Sequence, residues 1–190
     1  MPSALGHVAP ALALIPAFYQ PGTPKRLWVL GVLCAAAPDL DVFTFRLGIP
    51  YAHPLGHRGL SHSIPFAAAA ALAVTLLAFP RAQTSHSRGR AWFYLFLAIA
   101  SHGLLDAFTN GGLGVALFSP FDTARYFSPF RPIEVSPLSL GTFLSGRGLA
   151  ILASELIWVW LPCLLLAMAL GAWRLRRGPG AGRGLTRRCS

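Results

Sequence analysis

Three short clusters of histidine and aspartate are the parts of this chain whose residue types suit metal chemistry. The densest is the run HRGLSHS at residues 57–63, which directly precedes an uncharged apolar run over residues 64–79. The run PDLD at 38–41 closes the preceding apolar stretch, and SHGLLD at 101–106 closes the following one. Polar clusters at the ends of membrane helices are costly to keep, so they are candidate functional sites.

The spacing within two of these clusters indicates which side chains can converge. His102 and Asp106 are four residues apart, so both project from one face of a helix. His57 and His62 are five apart, which is too far round for one helix face. They converge if His57 lies in a loop and a serine of the same run caps the helix that follows.

The remaining polar residues allow more than one interpretation. Asp39 and Asp41 are two residues apart and would converge if the chain after Pro38 is extended. Glu155 is a candidate ligand or general base, or the partner of an arginine. Arg58 is expected either to contact an anionic substrate group or to pair with an aspartate. His53 and His86 are interpreted as loop residues.

Mixed imidazole and carboxylate ligands predict a divalent metal. Zn²⁺ is the first expectation, with Mn²⁺ and Fe²⁺ as alternatives. The candidate groups outnumber the ligands of one four-coordinate site, so one or two ions are expected. The predicted metal ligands are His7, Asp39, Asp41, His57, His62, His102 and Asp106.

Composition places these residues in a membrane protein. Of the 190 residues, 54% are hydrophobic and only 12% are charged, which is about half the usual charged fraction of a soluble domain. The net charge of +10 does not indicate nucleic-acid binding, because no basic helix or aromatic stacking platform accompanies the arginines. The three cysteines show no CxxC spacing, so neither a zinc ribbon nor a disulfide framework is predicted.

The apolar runs predict an all-α membrane bundle of four to five spans. Residues 1–173 would form a single membrane-embedded domain, and residues 174–190 a basic, disordered tail. The run 4–19 is short for a span, so a tilted, kinked or half-inserted helix is expected there. The other predicted spans are 27–45, 60–79, 91–109 and 149–173, and the loops are 46–59, 80–90 and 110–148.

The distribution of basic residues predicts the orientation in the membrane. Alternating spans place eleven Lys and Arg residues on the side of the tail and five on the other. The positive-inside rule makes the tail side cytoplasmic and the side of the His and Asp clusters extracytoplasmic. The 110–148 loop on that second side carries FSPF twice, at 118–121 and 127–130, which predicts aromatic packing at the membrane surface.

The combined pattern resembles the YdjM-type membrane-bound metal-dependent hydrolases, LexA-regulated inner-membrane proteins of bacteria and archaea. It consists of His7, PDLD at 38–41, HRGLSHS at 57–63, and His102-x-x-x-Asp106-x-x-Thr109-x-Gly111. The resemblance covers roughly residues 5–170, and the HRGxSHS run is its most specific part. It implies a metal-dependent hydrolase in a prokaryotic cytoplasmic membrane.

The order of the ligands is also similar, by spacing alone, to the zinc-dependent phospholipase C and P1-nuclease group. That group uses an N-terminal ligand, an Asp, and a His-x-x-x-Asp pair on helices. Its downstream histidine ligands have no counterpart, because no histidine follows His102, and Glu155 alone could stand in for them.

These patterns favour a membrane hydrolase that acts through a metal-activated water on a phosphoester of a lipid or another membrane-proximal substrate. An ion- or proton-coupled transporter is the alternative, and it would place polar residues along the middle of several spans. A non-catalytic, metal-stabilised membrane protein is the other alternative, and it would leave no open coordination position.

Overall fold

The computed structural model describes residues 1–80, 85–137 and 146–177. Its α-helices are α1 (Ala4–Phe18), α2 (Arg26–Ala36), α3 (Ile64–Ala78), α4 (Ser85–Ala107), α5 (Gly146–Glu155) and α6 (Leu161–Arg177). A 3₁₀ segment (Ala37–Leu47) continues α2, a 3₁₀ turn (Leu60–His62) precedes α3, and a π-helical turn (Leu156–Trp160) joins α5 to α6. Within these ranges the only β pairing is two isolated bridges, so the predicted all-α class is confirmed.

Two helical rods are long and apolar enough to cross a membrane. They are Arg26–Leu47 and Arg147–Arg177, with 22 and 31 residues. α1 and α3 have 15 residues each and reach about 22 Å, short of the roughly 30 Å hydrocarbon core. The predicted count of four to five spans goes beyond these two rods and stays a prediction.

The distribution of polar and apolar side chains is the reverse of that in a soluble protein. Large apolar residues cover the outside of the helices, and Leu77 is 82% exposed. Charged and ionisable side chains are buried between the helices, where water-soluble domains place apolar ones. This arrangement fits a bundle whose outer surface contacts lipid; the buried groups are His7, His57, Arg58, His62, His102, Asp106 and Glu155.

Tyr94 holds the first, second and fourth helices together. Its fully buried ring on α4 fills the space beside Gly31 of α2, where a Cβ would lie only 2.3 Å from the Tyr94 hydroxyl oxygen. The hydroxyl donates a hydrogen bond to the Ala11 carbonyl of α1, at 3.1 Å. The three helices are thereby aligned so that His7, Asp39 and His102 meet at the same end.

Two predicted boundaries differ from the structure. α4 begins at Ser85, so the second half of the predicted 80–90 loop is helical, and Arg88 donates to the carbonyls of Phe79 and Pro80 at the end of α3. α6 continues to Arg177, inside the predicted tail. The rest of the tail, residues 81–84 and 138–145 of the predicted loops, and the side chain of His86 lie outside the described residues.

The predicted mild break at Pro162 takes the form of the π-helical turn. Proline has no N–H to donate to the carbonyl four residues earlier, so the regular ladder cannot continue through it. The Leu161 N–H instead bonds to the Leu156 carbonyl, five residues back. The register change separates α5, which ends at Glu155, from α6.

Candidate metal centre

His7 and His102 form the innermost part of the site. α1 and α4 bring the two fully buried rings into a parallel stack, with centroids 3.5 Å apart. His102 Nδ1 lies 2.7 Å from the Ala35 carbonyl. Because a carbonyl can only accept, Nδ1 donates this hydrogen bond, and Nε2 is the ring nitrogen that faces the carboxylates. Neither ring nitrogen of His7 has a hydrogen-bond partner among the described residues.

Two carboxylates complete a first ligand group with these histidines. Asp39 Oδ1 lies 3.2 Å from His102 Nε2, and Asp39 Oδ2 lies 3.7 Å from His7 Nε2. Asp106 Oδ1 lies 3.6 Å from His7 Nε2. In the group of His7, Asp39, His102 and Asp106, one ligand atom from each residue lies within 4.8 Å of all the others.

A second ligand group contains Asp39, His57 and His62, whose ligand atoms satisfy the same 4.8 Å limit. His57 lies in the loop before α3, and Ser63 caps this helix by accepting from the Phe66 N–H at 3.1 Å, as the spacing predicted. Asp39 belongs to both groups. A carboxylate shared in this way suits a pair of adjacent ions.

The segment that carries Asp39 and Asp41 differs from the prediction. It is 3₁₀-helical from Ala37 to Leu47, so the expected extended geometry is wrong. At about three residues per turn, side chains two apart in such a helix point in different directions. Asp39 therefore faces α1 and α4, whereas Asp41 faces the HRGLSHS run.

Asp41 contacts the histidines of the second group through their other nitrogens. Its Oδ1 accepts from His57 Nδ1 at 2.6 Å, and its Oδ2 lies 3.1 Å from His62 Nδ1. Oδ2 also accepts from the Ser61 hydroxyl at 2.6 Å and from the Arg58 N–H at 3.2 Å. A carboxylate placed behind ligand histidines orients the rings and selects their tautomer. Asp41 as a direct ligand stays a prediction.

Arg58 lies in the interior of the protein, next to Asp106. The residue is buried and has a left-handed backbone, with φ of 60°. Its Nε lies 3.0 Å from Asp106 Oδ2, and the two terminal nitrogens donate to the Gly111 carbonyl at 2.8 Å and the Thr109 hydroxyl at 2.9 Å. Of the two predicted roles, pairing with an aspartate is present, and contact with a substrate stays a prediction.

Glu155 lies outside both ligand groups. Its carboxylate accepts from the N–H and, at 2.7 Å, from the hydroxyl of Ser3, the residue that caps α1. Ser3 is one helical turn before His7, so Glu155 fixes the end of α1 that carries this ligand. The expected arginine partner is absent among the described residues, and a ligand or general-base role stays a prediction.

Two positioning residues were not identified from the sequence. A Cβ on Gly103 would lie 2.2 Å from the His62 carbonyl oxygen, so only glycine lets the 3₁₀ turn approach α4. Arg125 donates to the carbonyls of His57 at 3.1 Å and Tyr51 at 2.8 Å, which ties the loop after α4 to the loop before α3. A glycine inside a helix beside a site histidine was the available signal for Gly103. No local pattern in the sequence indicates the role of Arg125.

His53 was predicted to be a loop residue, and it is exposed in the loop before α3.

The electrostatics of the site fit a divalent cation. His62 Nδ1 faces Asp41, and the Nε2 atoms of His62 and His102 lie 3.1 Å apart. Among the described residues, both nitrogens of His7 and Oδ2 of Asp39 are buried without a hydrogen-bond partner, while Asp106 Oδ2 is paired with Arg58. Buried polar atoms are rarely left unpaired. One or two cations would satisfy the whole set, and the residues present therefore fit a metal.

Two positive groups already lie close to Asp106, one next to each of its carboxylate oxygens. Besides Arg58, the Met1 amino group lies 3.7 Å from Asp106 Oδ1. Burial lowers the pKa of this amino group to about 6, so it loses its charge more easily than an exposed one. Asp39 forms no ion pair with an arginine or lysine among the described residues. Its negative charge is therefore available to be offset by the neighbouring histidines and by a bound cation.

Comparison with known proteins agrees with the resemblance inferred from the motifs. The profile of the YdjM inner membrane protein family matches residues 1–178. The chain is also 36% identical over 178 residues to the inner membrane protein YbcI of Escherichia coli strain K12, a match that covers 93% of this chain and 100% of that protein. No solved structure shows significant similarity to the chain. The chain therefore belongs to the YdjM family of inner membrane proteins.

Proposed function

We propose that this protein is a membrane-bound metal-dependent hydrolase that acts on a phosphoester of a lipid or another membrane-proximal substrate. The supporting observation is the pair of buried ligand groups joined by Asp39, in which the Nε2 atoms of His62 and His102 face each other at 3.1 Å. A bound divalent metal lowers the pKa of a coordinated water and offsets charge that develops on the attacked group. Zn²⁺ suits these ligands first, as one or two ions, with Mn²⁺ or Fe²⁺ as alternatives.

The residues around this centre have different proposed roles. The first ligand group would hold one ion, and His57 and His62 would hold a second ion together with Asp39. Asp41 keeps His57 and His62 in the tautomer with a free Nε2. Arg58 offsets the charge of Asp106 and keeps this carboxylate in place.

A lipid substrate is favoured by an apolar cavity beside the site. The cavity has a volume of about 310 Å³ and lies between the 3₁₀ segment and α3. Asp41 and Ser61 line it on the side of the histidines, whereas Leu40 and Phe66 line it where the protein surface is exposed. An acyl chain in this cavity would bring a headgroup phosphoester to the His/Asp ligands.

The aromatic loop supports the same substrate class. Phe118 and Phe121 of the first FSPF unit and Phe130 of the second are exposed, and Phe121 is 87% exposed. Large exposed aromatic side chains are favourable at the lipid headgroup level. The loop that carries them is attached to the site loop through Arg125. The phenylalanines therefore suit contact with the bilayer surface next to the site.

The same proposal includes the orientation in the membrane. All helices cross or enter the bilayer, the ligand groups face the extracytoplasmic side, and the C-terminal tail is cytoplasmic. The bias of basic residues toward the other end of the helices supports this orientation. A transporter is less favoured, because every buried His, Asp, Glu and Arg in the described ranges lies at one end of the bundle.

The proposal is tested by removing ligands singly in the full-length protein. His7→Gln and Asp106→Asn should each reduce bound metal and lower hydrolysis of a phospholipid by more than about 100-fold, because ligand and charge are lost. Mass spectrometry measures the metal content, and hydrolysis is measured as release of the water-soluble headgroup product from the phospholipid. His7→Gln is the cleaner variant, since neither ring nitrogen has a partner that would be left unpaired.

Asp122→Asn is the matched control. Asp122 lies in the aromatic loop, and the hydrogen bond from the Tyr126 hydroxyl lowers its pKa. It is not part of either ligand group, so metal and turnover should match the wild type. Wild-type metal content and turnover in both ligand variants would refute the hydrolase. Lost metal in a protein that hydrolyses no phosphoester would indicate a non-catalytic metal site.

A further inference from the structure

A second cavity lies at the opposite end of the helices from the ligand groups. It has a volume of about 580 Å³ and lies between the α1–α2 turn and the start of α4. Its lining includes Phe18, Arg26, Leu27, Phe79, Ser87 and Arg90. We propose that this cavity binds the phosphate group of an anionic ligand, supplied by the headgroup of an anionic membrane phospholipid or by free phosphate.

The first argument is that the two arginines at the cavity, Arg26 and Arg90, have no carboxylate partner among the described residues. Arg26 lies over the Phe79 ring at 4.6 Å, and neither Arg26 nor Arg90 forms an ion pair with a described residue. The sequence contains no Asp or Glu in residues 1–38, 42–105 or 156–190, and every residue that lines the cavity belongs to these stretches. Arg26 is exposed and Arg90 is half-buried, so both guanidinium groups are accessible to an anion from outside the chain, and phosphate suits the guanidinium fork.

The second argument is the direction of the helices. α2 begins at Arg26 and α4 begins at Ser85, so two helices start at this cavity. The N-terminal end of a helix carries a partial positive charge and peptide N–H groups without an intrahelical acceptor. Both helices are long enough, with 11 and 23 residues, to present this end to an anion.

The third argument is the division of the lining into polar and apolar parts. Gln20, Thr23 and Ser87 add neutral polar groups to the arginines. Phe18 and Leu27 line the same space with apolar surface. This combination suits a phosphate attached to an apolar body, which is the chemistry of a phospholipid, while the arginines alone would suit free phosphate.

The cavity is separate from the metal centre. Arg90 and His102 are 12 residues apart on α4, which corresponds to about 18 Å along the helix. The inference therefore does not rest on the proposed hydrolase activity, and it would stand if that activity were absent.

The test is a binding titration on the full-length protein in detergent, with a chelator present so that the ligand groups hold no metal. The ligands are dioleoylphosphatidylglycerol, zwitterionic dioleoylphosphatidylcholine and inorganic phosphate, and the readout is the thermal unfolding midpoint. Phosphatidylglycerol should raise the wild-type midpoint saturably. In R26Q/R90Q its apparent Kd should rise at least about tenfold, because two charge-assisted contacts are lost.

The control R46Q/R131Q removes the same charge at the other end of the molecule. Arg46 and Arg131 also lie over phenylalanine rings, at 5.6 and 4.7 Å, as Arg26 does. The apparent Kd of R46Q/R131Q for phosphatidylglycerol should stay within about twofold of the wild-type value. If R26Q/R90Q does not fold, the single variants R26Q and R90Q provide the same comparison. Each should show a smaller rise in the apparent Kd for phosphatidylglycerol.

The outcomes separate the two sources of phosphate. Stabilisation by inorganic phosphate that is lost in R26Q/R90Q identifies free phosphate as a ligand, and stabilisation by phosphatidylglycerol alone identifies the lipid. Equal stabilisation by phosphatidylglycerol and phosphatidylcholine, equal loss in both double variants, or wild-type binding by R26Q/R90Q would each overturn the proposal.

Discussion

Asp39 and Asp41 show how two identical side chains in one segment acquire different surroundings. The 3₁₀ geometry turns Asp39 toward His7 and His102, and Asp41 toward the nitrogens of His57 and His62 that point away from the ligand groups. Asp39 retains a buried oxygen without a hydrogen-bond partner, whereas both oxygens of Asp41 have partners. The first arrangement leaves a buried oxygen free for an ion, whereas the second suits a residue that orients ligand histidines.

This difference leads to a prediction for the two Asn variants. Asp39→Asn should lower the number of ions bound at saturation, because Asp39 belongs to both ligand groups. Asp41→Asn should weaken metal affinity by about 10- to 100-fold and leave the number of ions unchanged, as expected for a residue that orients ligands. Titration against a chromophoric chelator measures both quantities. A reduced number of ions in Asp41→Asn would instead make Asp41 a direct ligand.

At the scale of the elements, the site depends on how closely the 3₁₀ turn approaches α4. Gly103 follows His102 directly, and its missing side chain is the space that the His62 carbonyl occupies. Ser63 then caps α3, and Ser3 with Glu155 fixes the start of α1 against α5. His7 and His62 thus lie beside helix ends that a serine caps, and Gly103 lets the turn that carries His62 pack against α4 next to His102.

Gly103→Ala should therefore disrupt the site. The new methyl group would lie 2.2 Å from a backbone oxygen, so the turn that carries His62 must move. We expect a loss of stability of about 1–3 kcal/mol and at least a tenfold loss of metal affinity. Thermal unfolding and metal titration check the two effects.

Gly89→Ala provides the comparison on the same helix. No atom lies within 4 Å of a Cβ at this position, so alanine should raise stability by about 0.5–1 kcal/mol and leave metal binding unchanged. The same change in stability and metal affinity in Gly103→Ala and Gly89→Ala would mean that metal binding does not depend on the close approach of the turn to α4.

At the scale of the whole molecule, the two ends of the bundle differ in chemistry. The six carboxylates of the sequence are Asp39, Asp41, Asp106, Asp122, Glu134 and Glu155, and all belong to the end that carries the ligand groups or to its loops. The opposite end carries arginines and the second cavity. A bilayer separates such ends into two aqueous compartments, and the positive-inside rule predicts that the arginine end is the cytoplasmic one.

Cysteine labelling tests this orientation in intact cells. In a background with Cys34, Cys163 and Cys189 replaced, Thr123→Cys should react with an impermeant thiol reagent and Gly89→Cys should react only after the membrane is permeabilised. Both positions are exposed, so the membrane rather than burial decides the outcome. Labelling of Gly89→Cys alone in intact cells would place the ligand groups in the cytoplasm.

The features that depend on neighbouring residues could be predicted from the sequence. The apolar runs indicated helices in a membrane, the four-residue spacing paired His102 with Asp106, and the serines of the HRGLSHS run predicted the cap of α3, which Ser63 forms. The HRGxSHS and PDLD runs indicated the family. These features can be predicted because helix formation, capping and metal-ligand chemistry act over a few positions.

The contacts of each polar residue were evident only from the three-dimensional arrangement. Arg58 meets Gly111 across 53 positions, Glu155 meets Ser3 across 152, and Asp41 meets the Arg58 N–H across 17. The start of α4, the end of α6 and the 3₁₀ segment also departed from the apolar pattern, and Arg174 near the end of α6 donates to the carbonyls of Pro16 and Tyr19. Such contacts depend on the arrangement of distant helices, and residue spacing carries no information about partners that far apart along the chain.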